Sequence, residues 1–200
     1  MPLWGTLHSA ATNKPKFLSA DEDSDYNKAE CYATQAGWVI DGAATGNGNT
    51  SADPEILVAI GGLAGASGTT GLGDATINTV DWNTTAWSRA AGGTLSVTVR
   101  YNETVTVAVS NPTIIVTNDS RGNHTLTYSA GTGTHELTFT LVIAAANAAT
   151  NADDVLVFAA QSIVLASSST IKDTSDTPAN AELAISAAQG TACGTITAVA

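Results

Sequence analysis

Two hundred residues, 44% hydrophobic and 12% charged, can bury a real core in one large domain or two small ones. Eighteen acidic side chains against seven basic ones give a formal net charge of -11, and the basic residues (Lys14, Lys16, Lys28, Arg89, Arg100, Arg121, Lys172) are scattered. Nucleic-acid affinity rests on clustered Lys and Arg that neutralise phosphates, so that class of partner is excluded, and the acidity is read as a source of solubility.

The hydrophobic share comes mainly from Ala, Val, Ile and Leu, with Thr, Ser, Asn and Gly between them and no long Glu/Lys/Ala run, a balance that predicts an all-β chain. The opening MPLWGTLHSAATNKPKFL has no basic segment followed by an apolar run, and no stretch of about 18 apolar residues occurs, so neither Sec export nor a membrane contact is expected. Cys31 and Cys193 lie near opposite ends of the chain. They can bridge only if the two ends of the fold meet; two reduced, buried thiols are the expectation.

Residues 1–40 carry irregularly spaced aromatics (Trp4, Phe17, Tyr26, Tyr32, Trp38), two prolines and little periodicity, and read as an extended arm. Large aromatics that a segment cannot bury against itself bury against the body of the protein or against a partner. Trp4, Phe17, Tyr32 and Trp38 are therefore the candidate anchors for partner binding. Asp21, Asp23 and Asp25 have the start of an EF-hand spacing, but Tyr26 stands where that loop needs Gly and Tyr32 where it needs Glu. An acidic turn capping a short helix over residues 26–34 is expected instead.

A Gly/Asn/Thr-rich loop, GAATGNGNTSADP, leads to EILVAIGGL, a short apolar run that fits a buried strand. The glycine-rich residues 61–74 then read as a linker or long surface loop. They contain no Lys and neither phosphate-loop spacing.

From residue 75 strand signals recur at short intervals: ATINTVDW, TLSVTVRYNETVTVAV, PTIIVTND, the hairpin HTLTYSAGTGTHELTFTLVI, DDVLVFAAQSIVLA, STIKD, AELAIS and GTITAVA. In residues 94–109, Leu95, Val97, Val99, Tyr101, Val105, Val107 and Val109 share one parity, with Thr94, Ser96, Thr98, Arg100, Thr104 and Thr106 between them. Period two buries one face of a strand and wets the other. Seven or eight such strands, with Gly, Pro and Asn at the breaks, predict a two-sheet Greek-key sandwich.

Several of these segments, in order, resemble an immunoglobulin-like repeat of bacterial surface adhesins and phage structural proteins. Tyr101, Glu103, Val105, Val107, Pro112, Tyr128, Gly131, Gly133, Thr134, Leu137, Phe139, Ile171 and Asp173 fall on its pattern. Leu141 departs from a common aromatic, and AAANAATNADD replaces an acidic loop, so the calcium binding that loop supports is not carried over. Residues 1–63 have a second likeness. M-x-L-W-G, KPKFL, AGWV and EILVA, in that order, resemble the opening module of structural proteins of T4-like marine bacteriophages, which implies a virion context.

Chemistry has little purchase. His8, His124 and His135 are isolated, with His135 read as an exposed turn residue, and no G-x-S-x-G turn or metal-ligand spacing occurs. Asp153 with Asp154, or Asp173 with Asp176, could act as glycosidase carboxylates only in a cleft flanked by aromatics, which the composition does not favour. The fold expected is an immunoglobulin-like Greek-key β-sandwich over residues 74–200, preceded by an extended N-terminal arm and small β unit over residues 1–73. The function expected is that of a non-enzymatic virion structural protein without cofactor or metal, most simply a capsid decoration protein bound to the major capsid protein or other virion proteins. A tail or fibre adhesin binding a host surface glycan and a bacterial surface adhesin repeat are the alternatives. A homo-oligomer is a general expectation for such parts.

Overall fold

A computed structural model describes residues 15, 18–19, 26–46, 48–49, 51–64, 72–109, 111–146, 149–174 and 177–200. Trp4, Phe17, His8, the acidic residues 21–25 and Asp176 lie outside that set, as do residues 65–71 of the second glycine-rich stretch.

The chain begins with a three-stranded antiparallel meander, β1 (Cys31–Thr34), β2 (Gly37–Ile40) and β3 (Glu55–Ala59). Residues 26–34 do not form the expected helix, and residues 31–40 are not an extended arm. Asn27 accepts the Glu30 N–H through its side chain at 2.9 Å, a local bond that favours a turn, and the chain then enters β1 directly. Gly37 is the steric condition for the tight β1–β2 turn: at φ +135° its missing Cβ would stand 2.0 Å from the Val58 carbonyl oxygen. Trp38, 1% exposed, packs with Cys31, Ala33, Leu63 and Ala64, and Leu57 and Val58 close over them. EILVA is a strand but not a buried one: Glu55, Ile56 and Ala59 are exposed. A bulge explains the mismatch, since Val58 pairs with Trp38 and Ile56 with Val39, leaving Leu57 as the extra residue.

The remainder consists of β4 (Ile77–Trp82), β5 (Trp87–Ser88), β6 (Gly93–Ala108), β7 (Thr113–Asn118), β8 (His124–Ala130), β9 (Thr134–Ile143), β10 (Val155–Val157), β11 (Gln161–Ser162), β12 (Thr170–Asp173), β13 (Ala184–Ile185), helix α1 (Ala187–Cys193) and β14 (Thr195–Val199). The fold is nearly all β, dominated by one large mixed sheet in the order β3-β2-β1-β6-β9-β8-β7-β10-β14-β5, with β4 and β12 also paired to β6. Among the described residues no helix is long and apolar enough to cross a membrane.

β6 is the organising strand. Its first half pairs antiparallel with β9 on one side, Gly93 to Arg100 against Ile143 to Glu136, and with β4 on the other. Beyond a break in register between Arg100 and Val105, its second half pairs with β12, Val105 to Ala108 against Asp173 to Thr170. Leu95, Val97, Val99, Tyr101 and Val105 are fully buried, as the alternation predicts. The pattern fails at its end: Val107 is half-buried, and Val109 lies beyond the strand at φ 52°, two-thirds exposed.

Those β6 residues share one core with Ile114, Leu126, Phe139, Leu156, Ile171 and Ile196, which come from β7, β8, β9, β10, β12 and β14. Trp87 of β5, at the far end of the sheet path, enters the same core, so the sheet curls round it. Helix α1 is short but fully capped: Ser186 Oγ accepts the Gln189 N–H at 3.2 Å while Gln189 Oε1 accepts the Ser186 N–H at 2.7 Å. Cys31 and Cys193 are not disulfide-bonded; burial, then the charge of Asp81, pushes the Cys193 thiol up to about 12.

Gly37→Ala is expected to lower the unfolding free energy by about 3 kcal/mol or more, because backbone must move, whereas Gly48→Ala, at φ +72° in open space, costs about 1 kcal/mol. Urea unfolding of the two variants checks the difference.

Candidate interaction site

The meander meets the rest of the protein at the break in β6. There Ala33 of β1 pairs in parallel with Glu103, a fully buried carboxylate residue. The Tyr32 ring stacks on the His135 ring of β9, centroids 3.8 Å apart and planes 11° from parallel. The Tyr32 hydroxyl donates to Asp41 Oδ1 at 2.7 Å. Burial raises the phenol far above its ordinary value and the bond to Asp41 adds to the effect, so Tyr32 remains a neutral donor. Beside the stack, Arg100 donates from Nε to Glu136 Oε1 at 2.6 Å and from Nη1 to Asp81 Oδ2 at 2.8 Å, with Glu30 Oε1 4.0 Å from Nη2. Burial opposes the guanidinium charge, but the bond to Glu136 and the surrounding carboxylates outweigh it and raise the Arg100 pKa.

Three residues singled out in the sequence are buried in the joint or in the meander behind it. Tyr32 and Trp38, expected as partner anchors, are 5% and 1% exposed and fill the protein's own interior. His135, expected at an exposed turn, is 3% exposed. Its parity with Leu137 and Phe139 along β9 is the signal that places it inside. Trp4 and Phe17 belong to the residues outside the description.

A second polar cluster ties the β7–β8 turn to residues 149–154. Ser120 Oγ donates to Asp154 Oδ1, the Asn151 N–H donates to Asp154 Oδ2 at 2.7 Å, and Arg121 donates to Asn151 Oδ1 at 2.8 Å. His124, 4% exposed, has Nε2 at 3.2 Å from Thr150 Oγ1 and 3.4 Å from Asn118 Nδ2. The serine thus bonds the carboxylate directly while the imidazole faces a threonine and an asparagine. That is a latch between loops and lacks the serine-to-imidazole contact of a nucleophile and its base. Asp173 is likewise buried and accepts the Ala179 N–H at 3.2 Å, a brace beside β12.

The outward side of the meander is different in kind. β3 pairs with β2 along one edge, and Ile56 and Tyr26 are 54% and 42% exposed, with the Tyr26 hydroxyl donating to Glu55 Oε2 at 3.1 Å. Among the described residues the open flanks of β7, β4 and β12 are covered. Gln161 makes both backbone bonds to Ile115 on β7; Glu182 and Gln189 side chains bond Ile77 and Asn78 on β4; residues 179–181 bond Ile171, Lys172 and Asp173 on β12. Edges are commonly shielded in this way against unwanted pairing. Among the described residues β3 is a terminal strand of the sheet whose Ile56 stands in water; Val142 of β9 and Val199 of β14 are exposed as well. No family model, curated protein sequence or solved structure matches the chain.

Tyr32→Phe keeps the stack and deletes the bond to Asp41, so calorimetry is expected to register a loss of about 2 kcal/mol. The His124 cluster gives a pH dependence. Burial holds the His124 pKa below its ordinary 6.5, with the Asp154 charge pulling the other way. The unfolded chain therefore takes up this proton first, and stability falls as pH drops from about 6.5 towards the folded value. For Asp154, burial works to raise the pKa, but the Ser120, Asn151 and Asn118 donors hold it below 3.8, so its contribution is lost only in stronger acid. Urea midpoints measured at about pH 7.5 and about pH 5 should fall in the wild type and fall less in His124→Gln.

Proposed function

We propose that the chain is a non-enzymatic structural protein of a bacteriophage virion, a decoration protein of the capsid surface held through its N-terminal module, with an immunoglobulin-like Greek-key sandwich turned outward. The observation that carries the reading is the order of motifs: M-x-L-W-G, KPKFL, AGWV and EILVA, followed by YNETVTV, NPTIIVT, TYSAGTGTHELTFTLVI and TIKD. The all-β core built on β6 accommodates the second group, and the β1–β3 meander carries AGWV and EILVA. The partner is the major capsid protein or another virion protein. With Tyr32 and Trp38 buried, contact falls to the exposed side of the meander.

Quantitative mass spectrometry of purified particles of the phage encoding the chain, with immunogold labelling, tests the proposal. A decoration protein repeats with the capsid lattice, so on the order of hundreds of copies over the capsid are expected. A handful of copies at the tail would replace it with the tail or fibre reading, and absence from particles would overturn both.

A further inference from the structure

The exposed edge of β3 suits an occupant, and the charge around it says which kind. Ile56 and Tyr26 stand outward beside Glu55, and Asp53 precedes the strand. Over residues 26–64 the carboxylates are Glu30, Asp41, Asp53 and Glu55, and Lys28 is the single basic residue. A second copy of this chain would bring the same acidic surface and the same net charge of -11 to the contact. We propose that β3 docks an extended segment of a different protein, apolar on the face that meets Ile56 and flanked by Lys or Arg that pair with Asp53 and Glu55.

An added strand gains affinity from main-chain hydrogen bonds and specificity from alternate side chains. The bulge at Leu57 and Pro54 ahead of the strand keep the ladder short. The Ile56 contact and the flanking charges therefore decide which segments are accepted, and the association weakens as salt rises. This inference rests on the virion reading only for the identity of the partner, which would be a particle protein carrying such a segment.

The probes are two synthetic peptides with the same alternating Val/Thr core, one flanked by lysines and one by glutamates, titrated into the full chain by calorimetry with amide exchange read in parallel. The lysine peptide should bind at least about tenfold more tightly than the glutamate peptide and protect the amides of β3. Ile56→Lys, at an exposed position, should lose that binding, and Glu55→Lys should reverse the preference. Equal binding of both peptides, protection away from β3, or wild-type self-association lost in Ile56→Lys would each overturn the proposal. The two readings separate on particles. If Ile56→Lys still decorates them as the wild type does, β3 is not the docking edge and the virion reading stands. If the wild type is absent from particles, the virion reading fails while the peptide result holds on its own.

Discussion

The fold depends on one sixteen-residue strand having two sets of partners. Over its first half β6 is paired by β9 throughout and by β4 from Val97 onward, and the buried face it presents, Leu95, Val97 and Val99, anchors a core to which β7, β8, β10, β12 and β14 contribute. At the break between Arg100 and Val105 the pairing changes hands: β12 takes one side, and the meander enters alongside through Ala33 and Glu103. Strand breaks of this kind re-aim side chains, and this one opens the space in which Tyr32 meets His135.

Among the described residues the meander's buried cluster is Cys31, Ala33, Trp38, Leu63 and Ala64, with Leu18, Leu57, Val58, Ile60 and Leu72 packed against it. Isolated small sheets are marginal in water, so contacts to the rest of the protein matter for its order. The Tyr32 stack, the Arg100 cluster and the pairing beside the buried Glu103 tie it to β6 and β9. A module that is rigidly held yet presents an apolar edge is suited to binding, since little ordering remains to be done when a partner arrives.

What the sequence revealed follows the physics of each element. A half-buried antiparallel strand writes its exposure pattern into its residues, so β6, β7 and the β8–β9 hairpin are legible from alternation. β1 and β2 are four residues each and buried on both faces, which leaves no alternation and makes them resemble an aperiodic arm. EILVA misleads in the opposite direction, because a continuous apolar run reads as interior when it is an edge. The S-x-x-Q capping box of α1 is present as Ser186 and Gln189, but Gly190 and Thr191 weaken the helix signal behind it. As for the site, large aromatics read as anchors, but Tyr32 serves the joint and Trp38 the meander's own cluster; on the meander Ile56 and Tyr26 are the exposed large apolar side chains.

On this structure the β6 joint holds the meander in place. Backbone amide exchange in the wild type and in His135→Ala tests it most directly, because His135 belongs to β9 and its removal leaves every meander residue intact. In the wild type Tyr32 and Val39 should be protected alongside Val97 and Phe139. In the variant Tyr32 and Val39 should lose about a hundredfold of protection while Val97 and Phe139 change far less. Unaltered protection at Tyr32 and Val39, or an equal loss at all four amides, would mean that the joint does not hold the meander.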